Sequence, residues 1–212
     1  MALVVERHTV TQAQSNCYVV RAERGASEAA VIDPGGGAAE LRLALARAGA
    51  TCAAILVTHC HWDHIGAVAD LAEGTGAPVY MARDEAPVLV SPDDFYAALG
   101  IRIRPYEPDV LLDGGETLEL AGLELHTLIV PGHSPAHLAF HTEGCLFSGD
   151  VLFAGGVGRV DLPGGDWDAL VESIRTLVDR FPPETVVYPG HGPQTTLGAE
   201  LSRNPFLTEL RA

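Results

Sequence analysis

One seven-residue stretch, THCHWDH at residues 58–64, constrains the fold of this chain more than any other feature. It places three of the nine histidines and one aspartate within six positions, at His59, His61, Asp63 and His64. The apolar run AAILV leads directly into the stretch and is typical of a buried strand. Imidazole and carboxylate groups suit zinc, iron or manganese, so the sequence predicts a metal site at a strand end.

Three further predicted strands also end in a possible ligand. They are LIV-PGH ending at His133, LFS-GD ending at Asp150, and VVY-PGH ending at His191. The ends of neighbouring strands face one rim of an α/β sheet, and the glycine before each ligand allows a sharp turn. Five histidines and two aspartates are too many for one tetrahedral ion. They are enough for two ions that share a carboxylate.

The remaining pattern predicts an α/β protein with one domain over residues 1–212. Strands and helices alternate in two similar halves, which favours a four-layer sandwich of two mixed β-sheets with helices outside. In the first half we predict strands at 3–10, 17–22, 28–33, 53–57 and 77–82, and helices at 38–49 and 65–73. Residues 84–108 read as a surface insertion with a short helix at 93–100. Its aromatic residues, Phe95 and Tyr96, are predicted to pack the segment down, with lining a pocket as the less favoured alternative.

The second half shows the same kind of pattern. We predict two strands around a turn at Gly122, a hairpin turning at Glu143-Gly144, a helix at 167–181 with Asp166 as N-cap, a strand before His191 and a closing helix. The other histidines lie within predicted strands and are not expected to bind metal. These are His8, His126, His137 and His141.

Composition narrows the function classes. The net charge of −15 disfavours nucleic acid as a partner. No apolar run approaches the roughly 20 residues of a membrane span, and the N-terminus has no signal-peptide pattern. Cys17, Cys52 and Cys145 read as buried thiols, and Cys60 is expected to point away from its neighbouring ligands, with metal ligation as the less favoured alternative. Scattered cysteines favour a cytoplasmic, reduced protein.

The ordered set of motifs resembles the metallo-β-lactamase superfamily. The matching motifs are HxHxDH at 59–64, PGHS at 131–134, SGD at 148–150 and GHG at 190–192, with Asp33 in IDPGG as the early strand-end aspartate. The chain looks most like the short single-domain members of the glyoxalase II group, through residues 149–166 and 190–207. The resemblance implies an αβ/βα sandwich with metals at the rim between the sheets.

The resemblance also implies roles for individual residues. One divalent ion is expected at His59, His61 and His133, the other at Asp63, His64 and His191, with Asp150 bridging them. Zinc is favoured, with iron or manganese possible. Asp33 is expected to orient the ligand loop. Arg159 stands where the family has a basic residue for the glutathione moiety, and a surface ion pair with Asp161 or Asp166 is the equally favoured alternative for this arginine. Two departures leave the thiol carrier open: Asp161 replaces a tyrosine of the family, and the family's C-terminal glutathione-binding helical part is not expected.

The function that the resemblance implies is metal-dependent hydrolysis of a small-molecule thioester. A hydroxide between the two ions would attack the carbonyl, and Asp63 would bind metal and orient the hydroxide. A persulfide dioxygenase with one iron at His59, His133 and Asp150 is the main alternative on the same scaffold. A β-lactamase, an RNA-processing nuclease and a non-catalytic binding module are disfavoured. The oligomeric state stays open.

Overall fold

Two six-stranded sheets lie at the centre of the structure, one from each half of the chain. The computed structural model describes residues 2–211 of the 212. The first sheet contains β1 (Val4–Val10), β2 (Ser15–Arg21), β3 (Glu28–Ile32), β4 (Thr51–Leu56), β5 (Val79–Ala82) and β6 (Val110–Leu112). Its strands lie in chain order, antiparallel from β1 to β3 and parallel from β3 to β6.

Up to residue 211, the second half of the chain contributes eight strands. They are β7 (Thr117–Leu120), β8 (Leu123–Ile129), β9 (Leu138–Thr142), β10 (Cys145–Gly149), β11 (Leu152–Phe153), β12 (Gly156–Val157), β13 (Val186–Pro189) and β14 (Thr195–Thr196). The second sheet has the order β14-β13-β10-β9-β8-β7, and β11 pairs with β12 in a separate hairpin. The β10–β13 pair is parallel and the other pairs are antiparallel, so this sheet is mixed as well.

Helices flank both sheets. They are α1 (Ala38–Ala48), α2 (Trp62–Ile65), α3 (Val68–Thr75), α4 (Ala86–Val90), α5 (Asp93–Tyr96), α6 (Trp167–Arg180) and α7 (Leu197–Arg203), with 3-10 turns at Ala97–Leu99 and Pro205–Arg211. Helix α1 ends at Gly49 in the left-handed conformation (φ 66°), and Asp166 caps α6 by accepting from the N–H of Ala169 at 2.9 Å. Both helix ends were predicted from the sequence.

Three apolar cores separate the four layers, as the sequence predicted. One core lies between the first sheet and α1 and α3, and includes Leu41, Ile55 and Leu71. The core between the sheets includes Phe140 and Phe147. The third lies under α6 and α7. Because Phe140 is fully buried, Phe140→Ala should cost about 3–5 kcal/mol of unfolding free energy. The single-domain assignment of residues 1–212 remains a prediction.

The prediction of one helix over 65–73 was wrong. The chain forms two short helices there, because the N–H of Ala67 donates to the carbonyl of Pro34 at 2.9 Å instead of continuing a helix. A Cβ on Gly66 would lie 2.4 Å from the carbonyl oxygen of Gly35, so this break also allows two backbone segments to approach closely. Strand β6 and helix α4 were not predicted, since elements this short show no clear periodicity.

The segment 84–108 has one anchored aromatic residue. Tyr96 is buried and its hydroxyl donates to the carbonyl of Cys60 at 2.8 Å, whereas Phe95 is 51% exposed. The packing prediction therefore holds for Tyr96 and fails for Phe95. Cys17 is buried, but Cys52 and Cys145 are only partly buried, because each lies near the start of a strand whose later residues are buried. Among residues 2–211 no helix is long and apolar enough to cross a membrane.

Candidate metal centre

Three imidazoles meet at one end of the two sheets, and we call His59, His61 and His133 the three-histidine cluster. Their ligand nitrogens all lie within 4.8 Å of one another. His59 and His61 follow β4 of the first sheet, and His133 follows β8 of the second. Nδ1 of His61 lies 2.8 Å from Nε2 of His133. Ligands from both sheets thus converge at the rim.

A second group lies beside the first, and we call Asp63, His64 and His191 the aspartate cluster. Its three ligand atoms also lie within 4.8 Å of one another. Nε2 of His191 is 3.2 Å from Oδ2 of Asp63, and Nε2 of His64 is 3.6 Å from the same oxygen. Asp63 and His64 lie on α2, while His191 follows β13.

Asp150 lies between the two clusters. Its Oδ2 is 3.5 Å from Nε2 of His133 and 3.4 Å from Nε2 of His191, and its Oδ1 is 3.4 Å from Nε2 of His64. One carboxylate therefore approaches both clusters, which is the geometry needed for a shared ligand. Asp150 is 7% exposed and follows β10 directly.

The outer nitrogens of three imidazoles are held by other groups. Nδ1–H of His133 donates to the carbonyl of Arg159 at 2.8 Å. Nδ1 of His64 lies 3.0 Å from Oδ2 of Asp33, and Nδ1 of His59 lies 2.9 Å from the hydroxyl of Thr58. These contacts leave each Nε2 as the available ligand atom, an arrangement typical of metal-binding histidines.

Asp33 fixes the loop between β4 and the first ligands. Its carboxylate accepts from the N–H and the hydroxyl of Thr58, each at 2.7 Å, in addition to its contact with His64. Asp33 is 2% exposed and has a left-handed backbone (φ 53°). It therefore lies where the sequence analysis expected a residue that orients the ligand loop.

A divalent ion fits the donor atoms of this site. Buried polar atoms normally have a hydrogen-bond partner. Within the described part of the chain, however, nine buried side-chain atoms lack one, and three of them are Nε2 of His59, Nε2 of His64 and Oδ1 of Asp150. All three belong to the clusters or to the residue between them. Imidazole nitrogens and carboxylate oxygens are ligands for zinc, iron and manganese, so bound ions would satisfy these atoms.

The two clusters differ in charge. Burial and the neighbouring imidazoles lower the pKa of His59 and His61, that of His61 to about 4, and burial also lowers the pKa of His133. In the aspartate cluster burial acts in the same direction, but attraction to the carboxylates is stronger. It raises the pKa of His64 to about 9 and that of His191 to about 10. Near neutral pH the metal-free three-histidine cluster is uncharged, whereas His64 and His191 are protonated.

Glycines allow the ligand loops to approach closely. A Cβ on Gly190 would lie 2.0 Å from Oδ1 of Asp150, so any larger residue would displace that carboxylate. Gly132 and Gly149, which precede His133 and Asp150, have positive φ angles of 130° and 49°. These are three of the positions where the sequence analysis expected glycine to turn the chain toward the rim.

The structure brings together all seven ligands predicted from the sequence. Within residues 2–211, Cys60 belongs to neither cluster, and the same holds for His8, His126, His137 and His141. His137 immediately precedes β9 instead of lying within it. It is fully buried, its ring stacks on that of His59 at 4.7 Å, and its Nε2 accepts from the N–H of Asp150 at 3.1 Å. It supports the site from outside the ligand set.

Arg159 contributes its backbone to the site, while its side chain lies in an exposed ion pair. The guanidinium donates to both carboxylate oxygens of Asp161, at 2.6 and 2.7 Å. Its carbonyl is the acceptor for His133 described above. Sequence reasoning considered this pairing but did not foresee the role of the carbonyl. It also gave no role to Thr58, although this residue begins the THCHWDH stretch, or to Glu85, which no motif marks.

Known proteins resemble this chain over nearly its whole length. Residues 10–191 match the model of the metallo-beta-lactamase superfamily. Hydroxyacylglutathione hydrolase GloC of Haemophilus influenzae is 36% identical over 208 residues, which cover 96% of this chain and 97% of that protein.

Two crystal structures extend the likeness to the fold. The BLEG-1 B3 metallo-beta-lactamase is 38% identical with a TM-score of 0.90, and the match covers 97% of this chain and 100% of that one. TTHA1623 in a di-iron-bound form is 42% identical with a TM-score of 0.85, covering 96% and 100% of the two chains. With the four-layer fold and the clustered ligands, these matches show that the chain belongs to the metallo-beta-lactamase superfamily.

Proposed function

We propose that the chain is a hydrolase with two divalent metal ions that cleaves a small-molecule thioester. The three-histidine cluster would hold one ion and the aspartate cluster the other, with Asp150 shared. The observation that supports this most directly is the position of Asp150, whose carboxylate oxygens lie 3.4–3.5 Å from imidazole nitrogens of both clusters. A carboxylate placed between two sets of three ligands is the arrangement that a shared ligand requires.

The metal ions would supply the hydrolytic power. Two bound ions, zinc or alternatively iron or manganese, lower the pKa of a water molecule and polarise a carbonyl group. The chain's own residues position the reactants. Asp63 can accept a hydrogen bond from the attacking water and orient it, and its backbone carbonyl is held by the hydroxyl of Ser15 at 2.7 Å. No side-chain nucleophile is required, so no covalent enzyme intermediate is expected.

The candidate metal site is closed on its inner side and open to solvent on its outer side. His59 and His64 are fully buried, whereas His61 and His191 are partly exposed. A substrate would therefore approach from the side of His61 and His191, and water would be excluded behind His59. Excluding water strengthens the interaction of the carboxylates with bound ions.

The choice of thioester rests on similarity and on one charged group. The relative GloC is named as a hydroxyacylglutathione hydrolase. Arg159 could bind an anionic part of such a substrate, but Asp161 already occupies its guanidinium. A substrate carboxylate would have to displace Asp161, so we propose a thioester with a less anionic thiol portion than glutathione. A small-molecule substrate, and not nucleic acid, also suits the net charge of −15.

Two specific observations favour other chemistries. The di-iron-bound form of TTHA1623 makes iron a candidate ion, and a single iron at His59, His133 and Asp150 in place of two ions would suit a persulfide dioxygenase. The likeness to the BLEG-1 B3 metallo-beta-lactamase makes β-lactam hydrolysis the other candidate. Both alternatives use the same ligands, so the distinction requires an assay.

Metal analysis combined with three assays on one preparation tests the proposal. The assays are thioester hydrolysis, oxygen uptake with glutathione persulfide, and nitrocefin hydrolysis. Thioester hydrolysis is measured with S-lactoylglutathione and with the lactoyl thioester of N-acetylcysteamine, an uncharged thiol. Two ions per chain with thioester cleavage support the hydrolase. One iron per chain with oxygen uptake replaces it with the dioxygenase, and nitrocefin turnover without thioester cleavage replaces it with a β-lactamase.

A further inference from the structure

The buried carboxylate of Glu85 connects the two loops that supply the three-histidine cluster. Glu85 follows β5, precedes α4 and is 2% exposed. It belongs to neither cluster. A charged side chain is rarely buried unless it is paired or hydrogen-bonded. Its partners therefore indicate what it does.

Each carboxylate oxygen of Glu85 holds a different ligand loop. Oε2 accepts from the N–H of Cys60 at 2.6 Å, and Cys60 lies between His59 and His61. Oε1 accepts from the N–H of Ala136 at 3.0 Å and from the hydroxyl of Ser134, which follows His133. The first loop extends from the first sheet and the second from the second sheet. One side chain thus joins the two sheets at their ligand-bearing ends.

We propose that Glu85 is a positioning residue that sets the spacing of the three-histidine cluster, a role that rests on the two-metal function proposed above. Hydrogen bonds to a charged acceptor are about twice as strong as neutral ones. Metal–ligand distances tolerate deviations of only about 0.2 Å, so two loops from separate sheets must be held accurately before an ion binds. Glu85 supplies that constraint through three donors.

The aspartate cluster is held by different contacts. Asp33 bonds to His64, Ser15 bonds to the carbonyl of Asp63, and Asn16 donates from its backbone N–H to the carbonyl of Gly190, beside His191. The effect of changing Glu85 should therefore fall on one cluster. A purely structural role would weaken both clusters together through general loss of stability.

Metal titration of Glu85→Gln tests this selectivity. Glutamine keeps the shape and one acceptor oxygen but places an NH₂ group against a donor. Followed by Co²⁺ absorption, wild-type protein should bind two ions. The variant should bind one ion with unchanged affinity and the other about 10- to 100-fold more weakly, as expected when a supporting contact of a metal ligand is lost.

Glu200→Gln is the matched control. Glu200 is also a buried carboxylate, 5% exposed, and accepts from the N–H of Gly155 at 2.8 Å and the hydroxyl of Thr195 at 2.6 Å. This change should lower the melting temperature of the metal-free protein and leave both metal affinities unchanged. Ser134→Ala removes a single donor to Glu85, so it should give a smaller loss at the same cluster even if Glu85→Gln folds poorly.

The affected cluster is assigned in an Asp63→Asn background, which disables the aspartate cluster. The one ion that remains should then show the weakened affinity when Glu85→Gln is added. If wild-type protein binds two ions and both variants, Glu85→Gln and Ser134→Ala, weaken the affinity for both ions equally or for neither, the positioning role of Glu85 is wrong. The proposed two-metal function would stand in that case. Wild-type protein that binds no ion at the three-histidine cluster would overturn the proposed function as well.

Discussion

The three-histidine cluster and the aspartate cluster lie side by side, but their histidines differ in protonation state near neutral pH. Burial keeps the imidazoles of the first cluster neutral, with the pKa of His61 near 4. In the second, attraction to Asp63, Asp150 and Asp33 outweighs burial and keeps His64 and His191 protonated, with pKa values of about 9 and 10. Both clusters contain buried histidines. The neighbouring carboxylates therefore determine whether an ion must displace protons from the histidines in order to bind.

Removing the residue shared by both clusters should have the largest effect. Asp150→Ala should reduce kcat for the hydrolysed substrate by more than about 1,000-fold, since its loss affects both ions at once and exceeds the removal of a single charge-stabilising group. Metal content should fall at both sites. Elemental analysis and the thioester assay check this, with Glu200→Gln as a buried-carboxylate control. Full occupancy of both sites in Asp150→Ala would contradict the shared role.

The pH dependence of metal affinity should separate the two clusters next. Between pH 7 and 8 both His64 and His191 lie below their raised pKa values, so an ion must displace up to two protons. Affinity at the aspartate cluster should therefore rise up to about 100-fold over that unit. The three-histidine cluster should change little, because its pKa values lie below 6.5 and protons no longer compete.

Calorimetric titration in buffers of different ionisation enthalpy measures these protons directly. The ion entering the aspartate cluster should release protons at pH 7, and the ion entering the three-histidine cluster should release almost none. Equal proton release at both sites would show that the two clusters do not differ in protonation state.

Asp33→Asn should reduce the difference between the clusters in the pH dependence of metal affinity. The amide cannot accept from all of the donors that Asp33 now serves, which are Thr58 and His64. Metal affinity should fall about 10- to 100-fold, more at the aspartate cluster, where the contact with His64 is direct. The pKa of His64 should also move down, so the pH dependence there should become shallower. An unchanged pH dependence, measured by the same titrations, would contradict this role.

Changes outside both clusters should have the smallest effect. Asp161→Asn releases the exposed guanidinium of Arg159, so KM for an anionic thioester should fall by up to about 5-fold, the range of a surface ion pair. Arg159→Gln should raise KM slightly, and neither variant should change metal content or kcat. Steady-state kinetics with S-lactoylglutathione measure this. Equal KM values in both variants and wild type would remove Arg159 from the substrate site.

The ligands could be predicted from sequence because each follows an apolar strand. The order of HxHxDH, His133, Asp150 and His191 and their neighbouring glycines are local features, and they also indicate two sheets with a common rim. Glu85 could not be found in this way. Its partners are 25, 49 and 51 residues away along the chain. The same reason applies to His137, whose contact with Asp150 depends on how β9 and β10 pair.

Because the predicted ligands come from both sheets, bound ions would also affect the stability of the folded chain. All four cysteines are free, so no disulfide joins the two halves. Bound ions would close the chain between residues as distant as Asp63 and His191, and so restrict the unfolded ensemble in the way a cross-link does. Each tenfold excess of free ion over Kd would add about 1.4 kcal/mol to stability. Metal supply would thereby govern how much folded protein a cell retains, in addition to how fast each molecule works.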